Sequence, residues 1–482
     1  MTPTFDSIPS TSETFAVARS SARSTTRWVA IALVLTLSAC ASFRPLPAPP
    51  VADADSRLST LSVIGPNGEL DRQARGRLTQ RLSRFGADNL LGRHLATMQA
   101  VSDTPLITGN RVKLLVDGPS SYAAMFAAIS SAKQHVNIEM YIFDEAHHGD
   151  QALTDLLVDR ATHGVAVNVM YDALGSGATP PEVFDKLRVA GVKLCAFNPL
   201  NPAASRTGDF AQRDHRKIVV VDAQTAFTGG INFSATYTSS SRSRRPRVVD
   251  ARKDGWRDTQ IQVQGPAALE MQRLFLQSWA KQKCPDMARL NYLQAPRGVG
   301  NTLLRIDASS VDSHRNETYL AALSAVTFAV KSIDLTMAYF SPDAQLDGAL
   351  RAAAQRGVKV RLLLPGLSDF GGIVEAGRAH YARLLKDGID IYEERRSLLH
   401  AKTLVIDGIW STVGSANWDW LSFARNDEIN VVVIDQAFAG EMRALFEDDL
   451  TQATPITANE WKKRPFAEKM RERFWVTWER ML

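Results

Sequence analysis

Hydrophobic and polar positions along the chain fall into a series of elements that occurs twice. In the first pass, strand-like runs at Arg111-Val-Lys-Leu-Leu-Val116, His135-Val-Asn-Ile-Glu-Met-Tyr-Ile-Phe143 and Val165-Ala-Val-Asn-Val-Met170 alternate with helical patterns over Ser121–Lys133 and Gln151–Thr162. The second pass has strands at Leu303-Leu-Arg-Ile306, Ile333–Phe340 and Val358–Leu364, with helices over Thr318–Ala329 and Gln345–Gln355. His163-Gly-Val and Arg356-Gly-Val occupy the same slot, where a Gly ends a helix and a β-branched residue opens a strand. Agreement through five elements marks a duplication. Strands alternating with helices of this length predict an α/β protein with parallel sheet covered on both faces. The expected organisation is a polar helical cover over 57–105, a first half over 106–290, a second half over 291–455 and a tail over 456–482. In that tail Phe466, Met470, Phe474 and Trp478 recur every four residues among Lys and Arg. Such a helix has one apolar face, which either packs on the body or lies in a lipid headgroup layer.

The start of the chain has a different pattern. Residues 1–27 are rich in Ser and Thr and carry Arg19, Arg23 and Arg27; an apolar run from Trp28 to Leu37 follows. A bilayer span needs about 20 such residues, so this run fits a signal-peptide core instead. It leads into Leu37-Ser38-Ala39-Cys40, which resembles a bacterial lipoprotein signal. The resemblance implies removal of residues 1–39, lipidation of Cys40 and a Pro-rich tether over 40–56. Ala41 implies a cell-envelope location, at the outer membrane facing the periplasm rather than the inner membrane. The alternative is an uncleaved short anchor with an incidental Cys.

Composition narrows the classes further. Of 482 residues, 45% are hydrophobic and 22% charged, which excludes wholesale disorder and a coiled coil. The formal net charge of +5 suits an anionic partner without demanding one. Three Cys make no disulfide framework, and no Cys/His spacing indicates zinc. Cys195, in the strand-like run Val192–Phe197, reads as a buried small hydrophobe, and whether it pairs with Cys284 stays open.

Two copies of one motif carry the chemistry. The first is Asp214-His215-Arg216-Lys217, then Asp222 and Phe227-Thr-Gly229-Gly230-Ile-Asn232; the second is Leu399-His400-Ala401-Lys402, then Asp407 and Thr412-Val-Gly414-Ser415-Ala-Asn417. His to Lys is two residues, His to Asp seven and His to Asn seventeen in both. On a strand, i and i+2 share a face, so each His and Lys share a wall. The Gly-Gly and Gly-Ser pairs let the chain turn and bring each Asn back toward its Lys. Seven other His lie outside the motif and read as surface or packed residues.

The constellation resembles the phospholipase D superfamily over most of residues 106–460, including the strand ends Tyr141-Ile-Phe and Ala338-Tyr-Phe. Within it the chain is most similar to bacterial cardiolipin synthases, through Asp214–Lys217, Phe227–Asn232, Trp256-Arg-Asp258 ahead of Gly265-Pro266, and Leu399–Lys402. Two features depart from that family: Asp214 stands where Asn is usual, and a lipoprotein signal replaces transmembrane helices. The resemblance implies two α/β/α sandwich halves related by a pseudo-two-fold axis, with the active site at their interface. It implies His215 as nucleophile and His400 as general acid/base, the reverse assignment remaining open between near-symmetric halves.

Two Lys and two Asn suit an anionic phosphoryl group, and neither a metal nor a cofactor is expected. Each His also needs a group on its far nitrogen. Asp258 and Glu428 are the candidates, with ordinary strand-end carboxylates as the alternative. Asp222 and Asp407 read as structural. The basic stretch 239–247, with Arg244 and Arg245, is either a solvated loop or a lid over lipid phosphates. The expected substrate is an anionic phospholipid, phosphatidylglycerol first, acted on at a membrane surface by a protein functional as a monomer. Hydrolysis to phosphatidic acid, cleavage of nucleic acid and a non-catalytic lipid scaffold are the alternatives; no nucleic acid is expected as partner.

Overall fold

A computed structural model describes residues 61–83, 90–199, 211–242, 255–311 and 316–479. The signal, Cys40, the tether and Arg244 and Arg245 lie outside the described residues.

The two halves are built on the same strand order. In the first, Lys193–Phe197, Ala166–Asp172, His135–Met140, Lys217–Val221, Thr225–Gly229, Thr259–Gln264 and Leu106–Val116 follow one another across the sheet. In the second, Asp390–Glu394, Lys359–Pro365, Ser332–Met337, Lys402–Ile406, Trp410–Gly414, Asn426–Ile434 and Thr302–Ser309 repeat it. The strands Leu106–Val116 and Thr302–Ser309 then pair antiparallel with each other, joining the halves about a pseudo-two-fold. Helix and strand positions therefore repeat as the hydrophobic pattern indicates. Gly164 (φ 86°) and Gly357 (φ 90°) stop the equivalent helices in the left-handed conformation.

The sheet direction differs from the expectation. Within each seven-strand order the outer three strands run parallel, and the remaining neighbours pair antiparallel. The cause is local. The turns after Val221 and Ile406 carry Asp222 (φ 51°) and Asp407 (φ 54°), which close hairpins too short for a helical crossover. Those carboxylates also tie the turns down. Asp222 accepts from the backbone of Lys133, Gln134 and His135 at 2.8–2.9 Å. Asp407 accepts from Val330, Lys331 and Ser332. The N-terminal cover is not wholly helical either: Val63–Gly65 extends the sheet alongside Leu106 and Ile107 before helices Arg72–Ser83 and Leu90–Val101.

Strand alternation sorts the core. Val219 and Val221 face the helices of the first half, with Phe126, Leu157 and Leu187. Ile218 and Val220 face a second cluster shared by both halves, with Met271, Val405, Val413, Val431 and Phe438. The shared cluster fixes the halves against each other, and so sets where their strand ends meet.

Cys195 and Cys284 form a disulfide, with Cα atoms 5.5 Å apart, among Met170, Phe197, Phe275 and Trp279. It ties the edge strand of the first half to the segment that follows helix Pro266–Lys281. The bridge spans 89 residues, a separation for which a crosslink stabilises by about 2–5 kcal/mol. Replacing both Cys by Ser is expected to lower the urea midpoint accordingly. An unchanged midpoint would mean that the bridge contributes nothing to the fold.

Candidate active site

Each motif His ends a segment that crosses to the opposite half. Arg213-Asp214 pairs in parallel with Asn426-Asp427, and Arg257 bridges in parallel to Leu399. The backbone N–H of His215 donates to Asp427 O at 2.9 Å, and that of His400 donates to Arg257 O at 2.8 Å. Two buried Arg lock these crossings. Arg216 donates to the carbonyls of Ser309 and Glu428, at 2.9 and 3.2 Å, and Arg257 pairs with Asp449 at 2.6 Å.

The consequence is a reciprocal exchange. His215 Nδ1 donates to Glu428 at 2.9 Å, and His400 Nδ1 donates to Asp258 at 2.8 Å. Each half thus supplies the carboxylate for the other half's imidazole, and each ring is left with its lone pair on Nε2. Burial works against ionising these carboxylates, but His215 and Lys217 hold Glu428, and His400 and Lys402 hold Asp258, below the usual range. Burial lowers both imidazoles from their ordinary value, His215 to about 4.

The lysines sit on the same walls as their histidines. Lys217 Nζ donates to His215 O at 2.7 Å and Lys402 Nζ to His400 O at 2.5 Å. Both are buried, which pulls Lys217 down to about 7 and Lys402 to about 8. Each Lys also lies by a tyrosine ring, Lys217 at 5.3 Å from the centroid of Tyr141 and Lys402 at 6.0 Å from that of Tyr339. Asn232 Oδ1 accepts from Ile142 N at 3.0 Å, which leaves its NH₂ as donor. Asn417 is buried, and its Oδ1 has no hydrogen-bond partner among the described residues. The paired small residues have separate tasks. A Cβ on Gly230 would lie 2.1 Å from Asp258 Oδ1, and one on Gly414 would lie 1.9 Å from Asn430 Oδ1. Gly229 takes φ 153°. Ser415 donates its hydroxyl to Glu428. Among the described residues no cluster of three His, Cys, Asp or Glu could hold a metal ion.

Aromatic residues outside the two HxK motifs complete the site. Tyr237 places its hydroxyl 3.1 Å from His400 Nδ1, and the Trp256 ring lies 5.3 Å from the same imidazole. Tyr141 meets His215 edge-on at 5.0 Å. Tyr237 follows Asn232 by five residues in the first half only, so duplication could not expose it. Asp214 departs from the usual Asn and is explained by its neighbour. Burial, then the adjacent Glu139 carboxyl, pushes Asp214 well above the carboxylate range, and burial lifts Glu139 to about 7. Asp214 Oδ2 and Glu139 Oε2 find no other donor among the described residues. A proton held by this pair lets Asp214 donate as an Asn would.

The duplicated α/β/α halves and their facing HxK motifs define a phospholipase D-like protein. A family model described as "Cardiolipin synthase, PLD-like domain" matches residues 125–243 and 323–450. Cardiolipin synthase A of Pseudomonas aeruginosa is 33% identical over 365 residues, covering 75% of this chain and 71% of that one. A cardiolipin synthase of Alkalihalophilus pseudofirmus is 30% identical over 396 residues, covering 82% and 76%. The crystal structure of Haemophilus influenzae phosphatidylserine synthase superposes with a TM-score of 0.59 at 11% identity, covering 83% of this chain and 100% of that one, which speaks to fold alone. The chain belongs to the cardiolipin synthase family of phospholipase D-like proteins.

Asp214→Asn is expected to retain turnover within about twofold, because an amide N–H replaces the acid O–H. Asp214→Ala leaves Glu139 with Arg216 but without the neighbouring acid and should cost about 1–3 kcal/mol in urea unfolding. A loss of turnover in Asp214→Asn equal to that in Asp214→Ala would show that the carboxyl itself is required.

Proposed function

We propose that this protein is a phosphatidyltransferase that joins two phosphatidylglycerols into cardiolipin and releases glycerol. The observation that carries the reading is the reciprocal His–carboxylate exchange across the halves, which gives one site two oriented imidazoles. In the first step His215 Nε2 attacks phosphorus and the bond to the glycerol oxygen breaks. His400, protonated once an anionic phosphodiester offsets its burial, delivers that proton to the departing alkoxide. Lys217, Lys402, Asn232 and Asn417 stabilise the negative oxygens around phosphorus. A second phosphatidylglycerol then enters. His400, now neutral, takes the proton from its headgroup hydroxyl, the oxygen attacks phosphorus and the P–N bond to His215 breaks. No step calls for a metal or cofactor, and one chain supplies both half-sites. Water in place of the second lipid gives phosphatidic acid.

The test uses full-length protein in detergent with labelled phosphatidylglycerol. Cardiolipin and glycerol in equal amounts are expected. Phosphatidic acid as the main product would make the protein a hydrolase, and shortening of single-stranded DNA without lipid turnover would make it a nuclease. Both motif His→Ala variants should lose at least about a thousandfold in turnover. His400→Ala should accumulate a phosphatidyl adduct on His215, read by intact mass. An adduct on His400 in the His215→Ala variant would reverse the roles. In the wild type, kcat/KM should fall as pH rises through 7 to 8, where Lys217 (about 7) and Lys402 (about 8) lose their charges.

We also infer that the protein is exported and anchored to the membrane through a lipidated Cys40. The Cys195–Cys284 disulfide supports this, since such bonds persist in oxidising compartments. No helix among the described residues is long and apolar enough to cross a membrane. Radiolabelled palmitate should mark the wild type in bacterial cells and not Cys40→Ala. Equal labelling of the two would remove the anchor.

A further inference from the structure

The C-terminal helix Phe466–Thr477 is held to the body by one face only. Trp475 lies on helix Gly371–Lys386 at Gly372, where a Cβ would stand 2.8 Å from the indole. Arg464 stacks on Trp461 and pairs with the buried Glu472. Beyond the helix, Glu479 accepts from Ser341 Oγ at 3.0 Å and sits 3.3 Å from His380 Nε2. Three of the four residues of the apolar stripe read from the sequence stay out of this docking: Phe466, Met470 and Phe474 are 76%, 45% and 57% exposed, while Trp478 is half-buried. At 3.6 residues per turn they form a single line, with Lys469 and Arg473 on one flank and Arg471 on the other. Phe474 meets Trp475 at 5.4 Å, and Trp475 in turn meets Phe370, 45% exposed, at 6.1 Å, which links the stripe to Phe370. Residues 458–478 hold six Lys or Arg against three Glu.

We propose that this stripe is the surface by which the folded body docks on an anionic lipid bilayer. Exposed aromatics flanked by cations are what the headgroup layer of such a bilayer accepts: rings enter the acyl boundary while Lys and Arg meet the phosphates. Monomeric soluble surfaces seldom leave a contiguous row of this kind uncovered. The stripe also adjoins the site. Phe370 follows Asp369, whose carboxylate accepts from Tyr339 OH at 2.7 Å, and the Tyr339 ring meets His400 edge-on. Docking there sets the catalytic cleft beside the membrane, independently of any tether.

The experiment uses full-length Cys40→Ser protein, so that no acyl chain contributes, and co-sedimentation with vesicles. Binding to mixed phosphatidylglycerol/phosphatidylcholine vesicles should exceed binding to phosphatidylcholine alone. Phe466→Ser/Met470→Ser/Phe474→Ser should lower it by about tenfold or more, with circular dichroism and turnover of detergent-dispersed lipid unchanged. Lys469→Glu/Arg473→Glu, which leaves the apolar line intact, should remove only the preference for the anionic vesicles. Unchanged partition of both variants overturns the proposal. So does a wild-type dimer in solution that the Ser variant converts to monomer, which would make the stripe an interface between copies. Wild-type binding that requires residues 28–37, tested by deleting them, also overturns it.

Discussion

The structure depends on the exchange of carboxylates between its halves. An imidazole with a free Nε2 is a useful nucleophile only when Nδ1 is committed, and here that commitment crosses the duplication. Neither half alone can orient its own histidine, because Glu428 serves His215 and Asp258 serves His400. The shared apolar cluster, the antiparallel join between Leu106–Val116 and Thr302–Ser309, and the parallel bridges at 213–214 and 257 all serve to keep those two pairs in register.

Such a site carries a large buried charge, and burying it is costly unless the groups answer one another. Two lysines, two histidines and two carboxylates lie within the interface, backed by Arg216 with Glu139 and by Arg257 with Asp449. Burial pulls Lys217 and Lys402 down to about 7 and about 8 and lowers both imidazoles.

Repetition made much of this legible in the sequence. His215, Lys217, Asn232 and their counterparts stood out because two identical spacings occupied matching slots, and Asp222 and Asp407 could be read as structural from their place at strand ends. The exchange of Asp258 and Glu428 between halves was not legible, since spacing along the chain is blind to which side of an interface a strand end faces. The antiparallel pairing is announced in one half only: Asp407-Gly408 is a two-residue hairpin signal, whereas the matching turn is Asp222-Ala223, which takes the same left-handed conformation without a Gly. Tyr237 and Trp256 escaped as contributors to the His400 surroundings because they have no partner in the second half. The C-terminal periodicity gave the apolar stripe but not its direction; Trp475, off the stripe, makes the packing contact.

Those unpaired residues bear on the division of labour between two otherwise equivalent histidines. Around His400 stand Trp256, Tyr237 and Tyr339, with ring centroids 5.3 to 6.3 Å away, whereas Tyr141 is the aromatic ring that meets His215. Aromatic faces stabilise a cation in a low-dielectric site, and a general acid has to carry its proton as a cation before it can donate. Gly230 lets the short side chain of Asp258 approach His400 closely, while Ser415 instead pins the longer Glu428 behind His215. A ring whose task is to attack needs fixed aim and a neutral Nε2; a ring whose task is to trade protons needs a neighbourhood that tolerates its charge. The duplicated halves differ at these positions, with Trp256 and Tyr237 beside His400 and Ser415 behind the carboxylate of His215.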